Sequence, residues 1–459
     1  MQIADKKVIP DEITVRIEKL SNLGLGIAKV DGYVIFVENT CPDDIVKIKL
    51  TKKNKNFAKA YPIEFIEESP HRIKPFCPMH KVCGSCQLGH IDYNYQLQIK
   101  KEIVEDAMRS IYGYEIKVND VIPSPKVTEY RRKIQYPISQ TKDSKRILAG
   151  YYKTASHELV NIKHCPIQPH YCDEIIEFIR QTAFELGVSG YVEKTHKGLL
   201  RHVLIRSSAY NNENLVVLVV NSDKIQECTK ALARKIYTEC KNISGVCVNY
   251  NNQKTNFILG KKTEVVEGKG FIEEKLCGKI FKIGAETFFQ VNPESAENIF
   301  NYVKEYIKNN FKKPEILDAY AGIAAFGICL SDAAGKITSV EEVEASVKLA
   351  KEIIEENKID NIEVFTGDTA EFCGKAIKNG IKYDISVIDP PRKGCSEESL
   401  ENILKLTKQT IIYVSCNPAT LARDLKYLRG KGCEIDFVQP FDMFPQTYHI
   451  ENVAIISVP

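Results

Sequence analysis

From Pro314 onward short apolar β-runs alternate with helical stretches, and that alternation leaves few folds open to the chain. Helical segments fall between the first six β-runs, EILDAY, KITSVE, IEVFTG, YDISVID, TIIYVS and EIDFVQ. The seventh, VAIISV, follows the sixth through the helix-free stretch PFDMFPQTYHIEN. Parallel strands need a crossover, whereas antiparallel neighbours do not. Five βα units and one terminal antiparallel strand therefore predict an α/β, doubly wound, Rossmann-like sheet.

The upstream half has a different grammar. ITVRIEKL, GLGIAKVDG, YVIFVEN, DIVKIKLTK and AKAYPIEFI read as five short strands, punctuated by Gly24, Gly26, Gly32 and the Cys41-Pro42-Asp43 turn. Such a meander predicts a small barrel of the oligonucleotide-binding kind. No helix follows Gly24-Leu25-Gly26, so that pair reads as a barrel turn and not a phosphate loop. A cysteine-rich loop, Phe76 to His90, leads to a helix over residues 93–112 that Gly113 closes. Hairpin-like strands then suggest an α+β region. The expected division is a barrel at 1–69, a central α+β domain at 70–285 and the doubly wound domain at 286–459. Helix 93–112 is expected to pack against the last of these.

The net charge is only +3, but it is unevenly spread. Six lysines and no acids lie between Val46 and Tyr61, and a second basic stretch contains YRRKIQY. Two such stretches suggest a polyanionic partner such as RNA. The chain has 15 cysteines, an odd number, and MQIADKKVIPDE lacks the apolar core of a signal peptide. No apolar run approaches the ~20 residues that span a bilayer. A cytoplasmic, reducing location and a monomer without membrane contact are expected, with some cysteines serving as ligands or nucleophiles.

Ligands of an open α/β sheet bind outside the carboxyl ends of its strands. Here those ends read Asp318-Ala319-Tyr320, Val340-Glu341, Gly367-Asp368, Asp389-Pro390-Pro391-Arg392 and Ser415-Cys416. Acids at four consecutive ends repel phosphate and suit a cationic donor with hydroxyls, with Glu341 placed for a ribose diol. This is the pattern of an S-adenosylmethionine site; the missing GxGxxG argues against a dinucleotide.

Cys416 follows the fifth of these strands. Asn417 is a predicted N-cap and Pro418 a first helical residue, with the helix running to Gly430. A thiol at a strand tip beside a helix N-terminus is suited to nucleophilic work. Methyl transfer to carbon 5 of uracil needs such a group, because that carbon is a poor nucleophile until a thiolate adds at carbon 6. A base must then remove the carbon 5 proton. Glu451 and His449, in FPQTYHIENVAI, are the candidates; by residue type a histidine is the commoner base, and the sequence alone does not choose between them. Cys77, Cys83 and Cys86 form a second constellation. Cys165 is the best fourth member, since a proline follows it as one follows Cys77. The Cys-Pro step favours an iron–sulfur cluster over a four-cysteine zinc site.

With YVSCNPATLARD and DMFPQTYHIE in view, the chain resembles the bacterial 23S ribosomal RNA (uracil-5-)-methyltransferases over nearly its whole length. The resemblance implies a TRAM barrel, 23S rRNA as partner, S-adenosylmethionine as donor, Cys416 as nucleophile and Glu451 as proton acceptor. It places Gln290 (in FFQVN), Tyr320, Glu341 and Asp389 at donor-binding positions, with Asp368 a weaker match. It also makes Cys77, Cys83, Cys86 and Cys165 ligands of a [4Fe-4S] cluster. In the first glycine-rich loop Ala324 stands where the family has glycine, so a positive φ there would strain it. Gln446 stands where histidine is frequent. The same chemistry on tRNA is one alternative, less favoured because such enzymes typically lack barrel and cluster. An inactive RNA-binding iron–sulfur protein is another.

Overall fold

The computed structural model describes residues 9–154 and 156–459. The C-terminal sheet has seven strands in the spatial order Ile362–Thr366, Lys336–Glu341, Glu315–Ala319, Tyr383–Ile388, Thr407–Ser415, Glu451–Ser457, Glu434–Phe441. The first five are parallel, and Glu451–Ser457 runs antiparallel to both of its neighbours. Five crossover helices, Ala325–Leu330, Glu344–Glu356, Thr369–Lys378, Glu397–Leu406 and Pro418–Gly430, cover its faces. The strand order reverses between Glu315–Ala319 and Tyr383–Ile388, which opens a crevice at the carboxyl ends on either side of it.

The N-terminal segment is a six-stranded sheet, not five-stranded. ITVRIEKL breaks into Glu12–Arg16 and Lys19–Leu20. The first piece pairs with Ile45–Lys53 and the second with Gly26–Val30, so one broken segment joins the sheet's two edges into a barrel. Val15, Ile17, Ile35, Val37, Val46 and Ile48 fill its interior. The break could not be read from alternation, because Ile17 and Leu20 are both buried.

The central domain is a mixed seven-stranded sheet. Its strand Asn214–Val220 carries the unbroken apolar run LVVLVV. Val216, Leu218 and Val220 face the helices His170–Glu185 and Glu227–Glu239, while Leu215, Val217 and Val219 face the core of the C-terminal sheet. A run apolar on both faces is what a strand between two cores needs.

Helix Tyr93–Ala107, capped by the Asp92 carboxylate and extended through Met108–Tyr112, lies against the C-terminal domain. Val104, Met108 and Tyr112 share a core with Leu421, Leu425 and Leu428. On the same helix Lys100 is fully buried and donates to Asp442 at 2.6 Å and to the Phe444 carbonyl at 3.0 Å. Gln96 exchanges hydrogen bonds with Gln446, one at 2.9 Å and one at 3.1 Å. Gln446, the residue that departs from the family pattern, is thus a tether for the segment 440–450.

Candidate active site

The antiparallel last strand brings Cys416 and Glu451 together. Its register pairs Ser415 with Asn452. Cys416 follows Ser415 and Glu451 precedes Asn452, so the two lie at the same end of that strand pair, close enough for the Glu451 charge to act on the thiol, although 35 residues separate them in sequence. Cys416 is half-buried just past the strand tip, and Asn417 caps the following helix by accepting from the Ala419 N–H at 3.1 Å. Pro418 opens that helix and Gly430 ends it, as the sequence predicts. Burial pushes the Cys416 thiol up to about 11, with the Glu451 charge adding to the effect. Burial likewise pushes the Glu451 carboxyl up to about 8, reinforced by Asp389.

Arg392 is the cation that opposes both shifts. It follows Asp389-Pro390-Pro391 at the fourth strand tip, and the sequence reading gave it no role. The available signal was a lone cation in a ring of acids. Its loop is fixed from below: Asn417 and Thr420 donate to the Arg392 carbonyl at 3.2 and 3.3 Å. Arg423 donates to the carbonyls of Lys393 and Cys395, and buried Asp424 accepts from the Cys395 N–H and the Tyr413 hydroxyl. The second half of YVSCNPATLARD is therefore a scaffold for the loop that carries Arg392.

His449, the other candidate base, meets Arg392 instead. Arg392 Nη2 lies 3.3 Å from His449 Nδ1. A guanidinium only donates, so Nδ1 must accept, and the ring's proton sits on Nε2. His449 then has no free lone pair with which to take a proton.

The four acids do not all behave as strand-tip ligands. Asp318 is buried and turned into its own loop, accepting from the Gly327 N–H at 3.0 Å and from the Ser339 hydroxyl at 2.9 Å. This corrects the count of four to three. Glu341 accepts from the N–H groups of Gly322 and Val343, both at 2.9 Å, which fixes its carboxylate at the tip with one lone pair per oxygen to spare. Asp389 is half-buried, and among the described residues no donor to its carboxylate is found; burial, then Asp318, raises its carboxyl to about 7. Asp368 is exposed and caps the helix Thr369–Lys378, accepting from Glu371 at 3.0 Å. Tyr320 has φ 61° and its side chain packs toward Cys395 and Ser399, leaving its backbone at the first strand's tip. Gln290 is half-buried in the loop between Gly284 and Pro293, not in a strand.

Ala324 adopts φ 57° and ψ 37°, the left-handed region, and is fully buried at the start of helix Ala325–Leu330. A β-carbon there costs about 1 kcal/mol. Ala324→Gly should raise unfolding free energy by up to about 1 kcal/mol and tighten donor binding, read by denaturant melts and calorimetric titration.

Cys77, Cys83, Cys86 and Cys165 line one small cavity with Phe76, Met79 and Ile167. Among the described residues no three His, Cys, Asp or Glu side chains converge on a single-ion position. His80 and His164, at the same cavity, are engaged elsewhere: His80 Nε2 contacts His90 Nδ1 at 3.0 Å, and His164 Nδ1 contacts Asp173 at 2.8 Å. Arg131 lies within the electrostatic reach of Cys86 and Cys165, and its Nε donates to the Lys133 carbonyl. A half-buried guanidinium beside two of the four thiols fits an anionic, cysteine-ligated group. The cysteine loop also reaches the segment before Glu451, since the Leu88 N–H donates to the Gln446 carbonyl at 2.9 Å.

Between the central sheet and this segment runs a broad cleft, open to solvent. Arg131, Lys194, Arg201, Lys254 and Arg392 line it, alongside Tyr151, Tyr152, Tyr191 and Tyr448. The YRRK stretch contributes less than expected. Arg132 is held by the Tyr171 hydroxyl at 2.8 Å. Lys133 is half-buried, and burial beside Arg206 and Arg131 depresses its pKa to about 8. Only Arg131 of the three faces the cleft. In the barrel's lysine run, Lys47 and Lys49 pair with Glu12 and Lys53 with Asp11, while Lys52, Lys55 and Lys59 are exposed.

The fold and strand-tip acids define an S-adenosylmethionine-dependent methyltransferase domain, and comparison with known proteins narrows the class. The tRNA (uracil-5-)-methyltransferase family profile matches residues 92–457, and the TRAM domain profile matches residues 9–63. An uncharacterized RNA methyltransferase of Clostridium acetobutylicum is 36% identical over 98% of this chain and 99% of its own. Another from Oceanobacillus iheyensis is 35% identical over 97% of this chain and 96% of its own. The crystal structure of Pyrococcus abyssi tRNA (uracil-54, C5)-methyltransferase with S-adenosyl-L-homocysteine superposes with a TM-score of 0.76 at 25% identity, covering 97% of this chain and 100% of that one. The chain belongs to the RNA (uracil-5-)-methyltransferase family and carries a TRAM domain.

Proposed function

We propose that this enzyme methylates carbon 5 of a uridine in 23S ribosomal RNA, with Cys416 as nucleophile and Glu451 as proton acceptor. The observation that carries the reading is the meeting of that thiol and that carboxyl across the last antiparallel pair of strands. In the proposed sequence the Cys416 thiolate adds to carbon 6 and carbon 5 takes the methyl group from the donor sulfonium. Glu451 then removes the carbon 5 proton, the 5,6 double bond re-forms, and the carbon–sulfur bond breaks to release the Cys416 thiolate. Arg392 favours the thiolate. Glu341, Asp389, Gln290 and the Tyr320 backbone would hold the donor, with Asp389 facing its positive charge. Asp368, exposed and committed to a helix cap, is the weakest of these contacts.

Cys77, Cys83, Cys86 and Cys165 would hold a [4Fe-4S] cluster, which would brace the cysteine loop and, through Leu88, the segment that presents Glu451. The cluster's absorbance should appear as a broad band near 400 nm in anaerobically purified protein; a colourless protein with stoichiometric zinc would overturn it.

A tRNA target is the second reading. The Pyrococcus abyssi tRNA enzyme aligns with 97% of this chain, barrel included, so the barrel does not separate the two targets. Labelled donor offered with 23S rRNA and with tRNA transcripts decides between them. The 23S reading requires 5-methyluridine, identified by mass spectrometry, in the ribosomal transcript; label in tRNA alone would reverse the assignment.

A further inference from the structure

The proposed chemistry leaves one charge without a partner. When a thiolate adds to carbon 6, the electron pair of the 5,6 double bond moves toward oxygen 4, and the negative charge passes from sulfur to an enolate oxygen. A preorganised donor at such an oxygen is commonly a large contribution to catalysis. Glu451 must be ionised to take the carbon 5 proton and in that form repels the enolate, as Asp389 does when ionised against the donor's positive charge. Arg392 is directed to the Cys416 thiol and to His449.

The geometry points to His449 as a catalytic donor, its Nε2–H held toward oxygen 4 of the uracil, rather than as a base. This inference rests on the uracil-5 reading above. Three observations support it. First, the bond from Arg392 Nη2 to Nδ1, 3.3 Å long, fixes the Nε2–H tautomer. Second, the ring is held in place by contacts on both sides. Tyr448 lies 4.3 Å away between centroids, Phe444 lies 5.7 Å away edge-on, and the backbone N–H donates to Thr447 Oγ1 at 3.2 Å. Third, His449 and Arg392 both line the cleft, and the same guanidinium that meets His449 also acts on the Cys416 thiol, so ring and nucleophile share one neighbour. Burial and the cations Arg392, Lys100 and Arg131 keep the imidazole neutral, with its pKa near 4, so it donates without carrying a charge of its own. Its proton stays on nitrogen throughout. The enolate charge returns through carbon 5 to the methyl carbon as the methyl–sulfonium bond breaks, leaving neutral S-adenosylhomocysteine.

The test uses the difference between the two amides. Glutamine can place an N–H near the position of Nε2, whereas asparagine places one near Nδ1. His449→Asn should lower kcat about 100-fold, with RNA and donor affinity within about 2-fold of wild type, because the interaction forms only as the charge develops. His449→Gln should recover at least 10-fold of that loss. Single-turnover methylation of the full-length protein on its RNA gives the rates, and calorimetry with S-adenosylhomocysteine checks that both variants hold the donor site. Equal rates in the two variants, or wild-type rates in both, overturn the donor role. A wild type that makes no 5-methyluridine at all overturns the uracil reading itself, and the two failures are told apart by that control.

Discussion

Cys416→Ala will abolish the covalent step and lower methyl transfer by at least about 10⁴-fold. The reason is positional as well as chemical. Among the described thiols Cys416 stands at a carboxyl strand end, opposite an acid, with a guanidinium against it. The other thiols on this domain, Cys329, Cys373, Cys395 and Cys433, are packed into cores. RNA carrying 5-fluorouridine at the target should trap the wild type as an adduct stable to denaturing gels, because fluorine cannot leave as a proton. An adduct that persists in Cys416→Ala would assign the nucleophile elsewhere.

Glu451→Gln should have an almost opposite appearance. Addition and methyl transfer remain possible, but the carbon 5 proton then has no acceptor and the carbon–sulfur bond cannot break. Turnover should fall by about 10²–10⁴-fold while a methylated RNA–protein adduct builds up on ordinary uridine RNA, visible as one added mass of RNA plus methyl. A variant that turns over freely would remove Glu451 from the mechanism. The wild-type pH profile gives a cross-check. Glu451 must be ionised to accept, and burial holds it up to about 8. kcat/KM should therefore rise with pH through that region, and the donor's positive charge should move the corresponding limb of kcat to lower pH.

Much of this architecture was legible because period decided it. The strand–helix alternation after Pro314 left one sheet type available, and Asn417-Pro418 marked its helix start to the residue. What escaped was whatever depended on neighbours distant in sequence. ITVRIEKL looks like one strand, yet it has two partners on opposite edges. YRRK looks like an exposed grip for RNA, yet Arg132 and Lys133 are claimed by Tyr171 and by burial. Asp318 looks like a fourth ligand, but a serine on the neighbouring strand, 21 residues on, holds it. Residue type leans toward His449 as the commoner base, and the sequence alone does not choose between it and Glu451. What only the structure supplies is the Arg392 guanidinium 3.3 Å from one histidine nitrogen, on which the proposed choice of Glu451 rests.

The buried pair of Lys100 and Asp442 has a consequence for how the molecule is made. These residues lie 342 positions apart. At a synthesis rate of about 5–20 residues per second, helix Tyr93–Ala107 leaves the ribosome roughly 20–70 s before its counter-ion does. During that interval the helix has neither the partner for its ammonium nor the leucines of its apolar face. The barrel can mature early, because its interior comes from residues 15–60 alone. The cysteine loop next to the helix meets Tyr152 of the central domain first and gains its contact with Gln446 only at the end. A ribosome that stalls short of Asp442 would therefore release a chain with a finished barrel and an unfinished catalytic half, a ready substrate for proteolysis.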